Sequence, residues 1–453
     1  MITSVVLGAG IGKRMHSKLP KVLHKICGRE MIFYAIDPVK EISDGGVIVV
    51  IGKSMPKELF NEYNVKIQEE PLGTGDAVKI AIKGVQTDTL LVTTGDNPLL
   101  EKEDIESFVE FFDKTSSDIA FISAEADNPQ GLGRVLKEND EFVKIVEESD
   151  ATEEQKSIKE INTSVYLFKF VVIKEIISEI SNNNSQGEYY LTDVLKIAKE
   201  NSLKVSVFKL PKKLPIYGVN NRYELSLAEE IIQKKILKNH MLKGVTIHNP
   251  ETQKIDYFVE IGPDTTILPG CVIEGKTHIS ADCVIGPYSQ IVDSFVGRGS
   301  SIKQSCVLSS TIGEECNIGP FAYVRPENVF ANNVKIGTFV EIKKSKVSEG
   351  TKIPHLSYIG DATIGRHVNI GAGTITCNFS GLEGEKKNPT LIEDEVFIGS
   401  HSTLVAPLVI RKGAYTAAGS VVNKEVPEGA LAIARAQQVN KIDWVKRRKK
   451  TNG

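Results

Sequence analysis

Six isoleucines stand six residues apart without a break: Ile261, Ile267, Ile273, Ile279, Ile285 and Ile291. The period resumes at Val296, Ile302 and Leu308, then at Ile312, Ile318 and Val324. It returns at Ile336 and Ile342, at Ile353 and Ile359, at Ile364 and Ile370, and at Ile392, Ile398, Leu404 and Ile410. A helix repeats every ~3.6 residues and a strand every two, so neither gives a strict six. A hexad of this kind, with Gly, Asn, Asp or Ser between the aliphatics, predicts a parallel β-helix. Each hexad is one short strand plus a turn, three hexads close one triangular coil, and coils stack about 4.8 Å apart. The pattern runs from about Val245 to about Ala432.

The chain before it is of another kind. Apolar runs at Thr3–Leu7, Val47–Ile51, Leu90–Thr93, Ile119–Ile122 and Val205–Phe208 read as strands, and amphipathic stretches at Glu101–Phe112 and Val171–Ser181 read as helices. Such alternation predicts an α/β domain with a mostly parallel sheet over residues 1–222. Residues 223–243 hold no Gly or Pro and carry an apolar stripe (Leu225, Leu227, Ile231, Ile232, Ile236, Leu242), which predicts a linker helix over 223–244 ended by Gly244. The remainder, 245–453, is the β-helix with a basic tail, KIDWVKRRKKTNG, expected to be poorly ordered at its end. The hexads lose their regularity at Thr374–Asn388, a polar, Gly-rich stretch expected to protrude as a loop.

Bulk properties exclude several classes. A net charge of −3 gives no global pull toward nucleic acid or membrane, and no run is long and apolar enough for a membrane span. The six cysteines form no CxxC and no Cys/His cluster, which suits reduced thiols in a cytoplasmic protein. The apolar start MITSVVLGAG lacks a basic region and a cleavage site, and is expected to be a buried first strand.

Leu7-Gly8-Ala9-Gly10-Ile11-Gly12-Lys13-Arg14-Met15 follows directly on that strand. Glycines there let backbone amides approach a phosphate, and Arg14 and Lys21 add charge. It is not a Walker loop, and an ordinary strand-to-helix turn would look similar. Asp96, just after a strand end, could be a helix cap or a Mg²⁺ ligand.

The whole string resembles the signature of the sugar nucleotidyltransferases. Further matches follow in order: Gln68 and Pro71–Gly75, Thr94–Leu99, Gly133–Val135, Glu147, Glu160–Thr163, Glu188–Asp193 and Gly218–Asn221. The resemblance implies a Rossmann-like α/β domain that transfers a uridylyl group from UTP to a sugar 1-phosphate. It implies that Leu7, Gly10, Lys21, Gln68, Gly73 and Thr74 hold the nucleotide. It further implies that Gly133, Glu147, Asn162 and Asn220 hold the sugar phosphate, that Asp96 and Asn220 bind Mg²⁺, and that Arg14 and Lys21 act in catalysis.

Within the hexads His355 stands out, and Arg325, Lys343, Tyr358 and Asn369 are polar groups expected at turns of nearby coils. Arg325 and Lys343 are eighteen residues apart, which places both on one edge of successive coils. A His suits general-base work because its unperturbed pKa lies near neutrality. These residues, with the order of the halves, resemble the bacterial family of bifunctional N-acetylglucosamine-1-phosphate uridyltransferases/glucosamine-1-phosphate acetyltransferases. The resemblance implies a left-handed parallel β-helix, with His355 as the base for acetyl transfer and Arg325, Lys343, Tyr358, Asn369 and Lys387 around the sugar phosphate. It places Ala372, Asn378, Phe379, Ser400, Ala418 and Arg435 along acetyl-CoA. It implies small-molecule substrates (glucosamine 1-phosphate, N-acetylglucosamine 1-phosphate, UTP and acetyl-CoA), a homotrimer, and a product used for the cell envelope. Two other readings remain at this point: a single-activity pyrophosphorylase whose β-helix only oligomerises, and a non-catalytic scaffold of the same ancestry.

Overall fold

The computed structural model describes residues 1–139, 141–381 and 387–450. It divides into two compact units, Met1–Ile232 and Gln233–Gly453.

The first unit is built on nine strands: β1 (Ile2–Leu7), β2 (Val47–Gly52), β3 (Asn64–Gln68), β4 (Thr89–Thr94), β5 (Ile119–Glu125), β6 (Arg134–Glu138), β7 (Glu141–Val146), β8 (Glu160–Lys169) and β9 (Val205–Lys209). The main sheet runs β9-β5-β8-β4-β1-β2-β3, with β6 and β7 forming a hairpin off β8. Pairings along this path are parallel except at β8, which runs antiparallel to both β4 and β5, and the β6–β7 hairpin is antiparallel as well. The expected strands are therefore all present, and the mostly parallel path contains one reversed strand.

Side chains alternate across the sheet, so both faces are apolar and both are covered. Val6, Val49 and Leu91 pack with Ile32 and Ile36 of α1 (Met31–Lys40) and with Ile105 and Phe108 of α3 (Lys102–Thr115). Val5, Val50 and Val92 pack on the other face. Their partners include Ala77 and Val78 of α2 (Thr74–Ala81), Ile173 of α4 (Phe170–Ile176) and Val194 of α5 (Asp193–Glu200). The stretch expected as one helix over Val171–Ser181 is shorter. After Ile176 it tightens into a 3-10 turn and Ile180 becomes extended, which buries both Ile177 and Ile180.

Helix α6 (Arg222–Leu242) carries residues of both units and stops before Gly244, whose φ of +92° no helix continues. Within the second unit its Leu237 joins the β-helix core, and Gln233 exchanges hydrogen bonds with the backbone of Ile255.

That second unit is a three-faced prism. Among the described residues its faces hold eleven, ten and nine short strands, all paired in parallel. The first face starts at Thr246–Ile247, the second at Lys254–Ile255 and the third at Glu260–Ile261, and the chain visits them in that order each turn. The hexad isoleucines point inward and are buried. One expected position is wrong: Val307, not Leu308, fills the core. Several corners are one residue short, so the inward positions run Ile291, Val296, Ile302, Val307, Ile312. The irregular stretch expected to protrude also starts later than expected, and its residues 382–386 lie outside the described residues. Residues Ile375–Cys377 still pair as a strand on the second face, and the loop departs at Asn378. Its base is closed by Asn388 N donating to Asn378 O at 2.8 Å. In the tail, Trp444–Lys450 form a short helix, and the very end of the tail, 451–453, lies outside the described residues. No helix among the described residues is long and apolar enough to cross a membrane, and their six cysteines are free thiols.

Candidate active sites

In the first unit the strand ends of β1 and β4 open onto a cavity of about 830 Å³. Leu7, Gly10, Arg14, Lys21, Gln68, Gly73, Thr74, Asp96 and Asn220 all line it. Gly73 has φ +110°, and a Cβ there would lie 2.6 Å from Tyr189 O, so only glycine fits this close approach. Thr74 Oγ1 accepts from Leu191 N at 3.1 Å, which ties the start of α2 to the segment before α5. Gln68 is buried, and its Nε2 donates to Gly73 O at 3.1 Å and Asp76 Oδ2 at 2.7 Å, fixing the plane of its amide.

Asp96 follows β4 by two residues. Val219 N donates to Asp96 O at 2.9 Å, which carries Asn220 alongside. Lys21 Nζ pairs with Asp96 Oδ2 and donates to Asn220 Oδ1 at 3.2 Å, and Arg14 Nη2 reaches the same Asn220 oxygen at 2.9 Å. Burial alone would raise the Asp96 carboxyl, but the Lys21 ammonium outweighs it and holds the group below the usual carboxylate range. A carboxylate and an amide oxygen converging on one cationic group is a donor set of the hard, oxygen-only kind that suits Mg²⁺.

A second cavity of about 350 Å³ shares Leu7, Arg14, Lys21 and Thr74 and extends to Glu147, Tyr166, Tyr190 and Thr192. A Cβ on Gly133 would lie 3.3 Å from Glu147 Oε2, so glycine leaves that carboxylate open. Burial raises the Glu147 carboxyl, partly opposed by the Thr192 hydroxyl that donates to it at 3.1 Å. Asn162 does not line either cavity. It stands behind, with Nδ2 donating to the Tyr166 hydroxyl at 2.6 Å. Tyr166, Tyr190, Ser149 and Glu188 are site residues that sequence reasoning assigned no role. The run Glu188–Asp193 marked part of this wall, but nothing in spacing shows which side chains turn inward.

In the prism, Arg325 and Lys343 occupy equivalent places on successive coils of the second face, since Val324 pairs with Ile342. Arg325 Nη1 donates to Glu341 Oε1 at 2.8 Å. The Lys387 ammonium, returning from the loop, stands beside Lys343 and pulls the Lys343 amine below its ordinary value. Tyr358 opens the next strand of this face. Gly360 leaves room where the Tyr358 hydroxyl and the Asn378 amide converge: a Cβ there would be 2.7 and 2.5 Å from them. Asn378 Nδ2 also donates to Asp361 Oδ2 at 2.5 Å. Phe379 is exposed, with Lys387 Nζ 5.8 Å from its ring centroid.

His355 ends the strand Lys352–His355 on the first face, at the corner leading to Tyr358, and is exposed. Ala372, Ser400 and Ala418 occupy that same corner in later coils, linked by His401 N to Ala372 O at 2.7 Å and Gly419 N to Ser400 O at 2.8 Å. Three turn expectations fail. Lys343, Tyr358 and Asn369 are strand residues, and Asn369 lies on the first face, pairing with Lys352 and Phe397. One prism therefore does not gather Asn369 with Arg325 and Lys343. Arg435 follows the last strand and is exposed.

A nucleotide-sized cavity at the strand ends of a doubly covered α/β sheet, followed by a hexad prism with a cationic edge, defines a nucleotidyltransferase fused to a left-handed parallel β-helix. Residues 4–158 match the MobA-like NTP transferase domain model and residues 255–338 the GMPPB C-terminal domain model. Relatives named bifunctional protein GlmU match from end to end. That of Thermoanaerobacter pseudethanolicus is 47% identical over 99% of this chain and 98% of its own. Those of Caldanaerobacter subterraneus and Clostridioides difficile are 46% identical over 99% and 98%, and 42% identical over 98% and 97%, respectively. The chain belongs to the GlmU family.

Proposed function

We propose that this chain acetylates glucosamine 1-phosphate with acetyl-CoA in its prism and then joins the product to UMP from UTP in its α/β domain. The products of the second step are UDP-N-acetylglucosamine, a cell-envelope precursor, and pyrophosphate. The observation that carries this is the match over 99% of the chain to relatives named as bifunctional. Residues 1–222 carry uridylyl transfer, the helix at 223–244 links, and residues 245–453 carry acetyl transfer.

In the prism, His355 takes a proton from the sugar amine as its nitrogen attacks the thioester carbonyl. The Ala372 amide donates to the oxyanion, and coenzyme A leaves as the thiolate. Arg325, Lys343 and Lys387 offset the phosphate charge, and Tyr358 and Asn369 face sugar hydroxyls. Asn378, Phe379, Ser400, Ala418 and Arg435 contact coenzyme A. Asn369 sits one face away from Arg325. A site complete in both therefore needs a cleft between neighbouring prisms, which supports a homotrimer.

In the α/β domain a phosphate oxygen of N-acetylglucosamine 1-phosphate attacks the α-phosphorus of UTP and pyrophosphate departs. Arg14 and Lys21 offset charge that builds on the phosphates. Gln68, Gly73 and Thr74 read the uracil, with Leu7 and Gly10 beneath the nucleotide, while Gly133, Glu147 and Asn162 hold the sugar. Asp96 and Asn220 would hold the Mg²⁺ that neutralises phosphate oxygens.

Purified protein should release thiol from acetyl-CoA only when glucosamine 1-phosphate is added. His355→Ala should abolish that release and spare UTP-dependent pyrophosphate formation, whereas Asp96→Ala should do the reverse. Loss of both activities in either variant, or of neither, rejects the two-site reading.

A further inference from the structure

Asp96 and Asn220, the pair assigned to the divalent ion, are engaged by cations of the chain itself. Lys21 Nζ pairs with Asp96 Oδ2 and reaches Asn220 Oδ1 at 3.2 Å, and Arg14 Nη2 reaches that oxygen at 2.9 Å. The side chains of Lys21 and Asp96 are only 14% and 17% exposed, so water screens the pair poorly. The place is also built for the lysine. A Cβ on Gly12, which has φ +72°, would lie 2.5 Å from Lys21 Cβ, so the bare backbone of Gly12 is what admits the lysine stem. An ammonium and a divalent ion held on one carboxylate oxygen repel each other, most strongly where the dielectric is low. A triphosphate carries several negative charges and offers Lys21 a stronger partner than one carboxylate.

We propose that Lys21 is a placeholder cation. In the nucleotide-free chain it closes Asp96 and Asn220 to the divalent ion, and the triphosphate opens them by drawing Lys21 onto its phosphates. The ion thus enters with the nucleotide or after it, and the free enzyme has little affinity for it. This rests on the reading of Asp96 and Asn220 as ion ligands.

Mn²⁺ titrations of the full chain without nucleotide, read by the electron paramagnetic resonance signal of free Mn²⁺, test it. The parent and Lys21→Arg should bind Mn²⁺ weakly. Lys21→Met, which keeps the stem and removes the charge, should bind at least about tenfold more tightly. Lys21→Gln provides a second neutral side chain should Lys21→Met fold poorly. The gain should vanish when Asp96→Asn is added. No gain in either neutral variant, while Asp96→Asn still weakens Mn²⁺ binding, overturns the placeholder and leaves the ion ligands standing. A gain that survives Asp96→Asn places the ion elsewhere and overturns both.

Discussion

The Arg325 guanidinium and the Glu341 carboxylate meet across one coil of the prism, Nη1 to Oε1 at 2.8 Å. Both side chains are more than a third exposed or close to it, so the pair adds little to stability. Its consequence is orientation: the guanidinium is turned along the face toward Lys343.

Glu341→Gln should therefore leave the melting temperature nearly unchanged and raise KM for glucosamine 1-phosphate by about 2–5-fold, the size of a surface pair. Arg325→Ala removes a charged hydrogen-bonding group and should cost about 10–100-fold in kcat/KM for acetyl transfer. Thiol-release assays with pyrophosphate release as the control check both. An unchanged KM in both variants would remove the phosphate from this edge.

Glu147 gives a pH signature. Burial raises its carboxyl, so the folded chain holds this proton more tightly than the unfolded chain does. Its contribution to stability is full in acid and is lost as pH rises from the unfolded value, about 4.3, through the folded one. Glu147→Gln cannot ionise. Its melting temperature should gain on the parent's between about pH 4 and pH 7, and a gap that stays constant over that range would show the carboxyl unshifted. Uridylyl transfer should fall in the same variant.

Gly73→Ala should strain the turn before α2, because φ +110° and the 2.6 Å approach to Tyr189 O admit no side chain. A loss of about 1–3 kcal/mol in the α/β domain is expected. Denaturant melts monitored alongside the two activities should show uridylyl transfer impaired and acetyl transfer retained.

The register of the prism can be tested at two adjacent aliphatics. Val307 is fully buried, whereas Leu308 is half-buried on the outer side. Val307→Ala should cost about 1–3 kcal/mol in prism stability and Leu308→Ala less than about 1. The opposite order would restore the hexad as written in the sequence.

That register marks where sequence reading stops. Five of the nine α/β strands were legible as apolar runs between turns, as at Val47–Gly52. Within the prism the period found the inward residues from Ile261 to Ile302 and most beyond, but it missed Phe330, Val347 and Val422 and could not choose between Val307 and Leu308. A signal was present. Ser289, Ser294, Ser300, Ser305 and Ser310 are all buried, and each lies two residues before an inward aliphatic. Counting from Ser305 gives Val307. The family resemblance likewise grouped Lys21, Asp96 and Asn220, which line one cavity. It did not show that Lys21 sits on Asp96, or that Tyr166 lies between Asn162 and the cavity. Asn369 was misplaced because spacing along a solenoid gives the coil, while the face depends on every short corner before it.

The long loop leaves from a corner where other coils take their shortest steps, as between Ile291 and Val296. Strand residues are locked by the coils above and below, Ile375 by Tyr358 and Thr403 for example, whereas corners differ in length from coil to coil. Chain added at Asn378 shifts no inward side chain, and the third face resumes with Thr390 beside Ala362. Natural selection could thus lengthen, shorten or rewrite this loop as a graft, altering what the cationic edge admits without disturbing the stem that carries it.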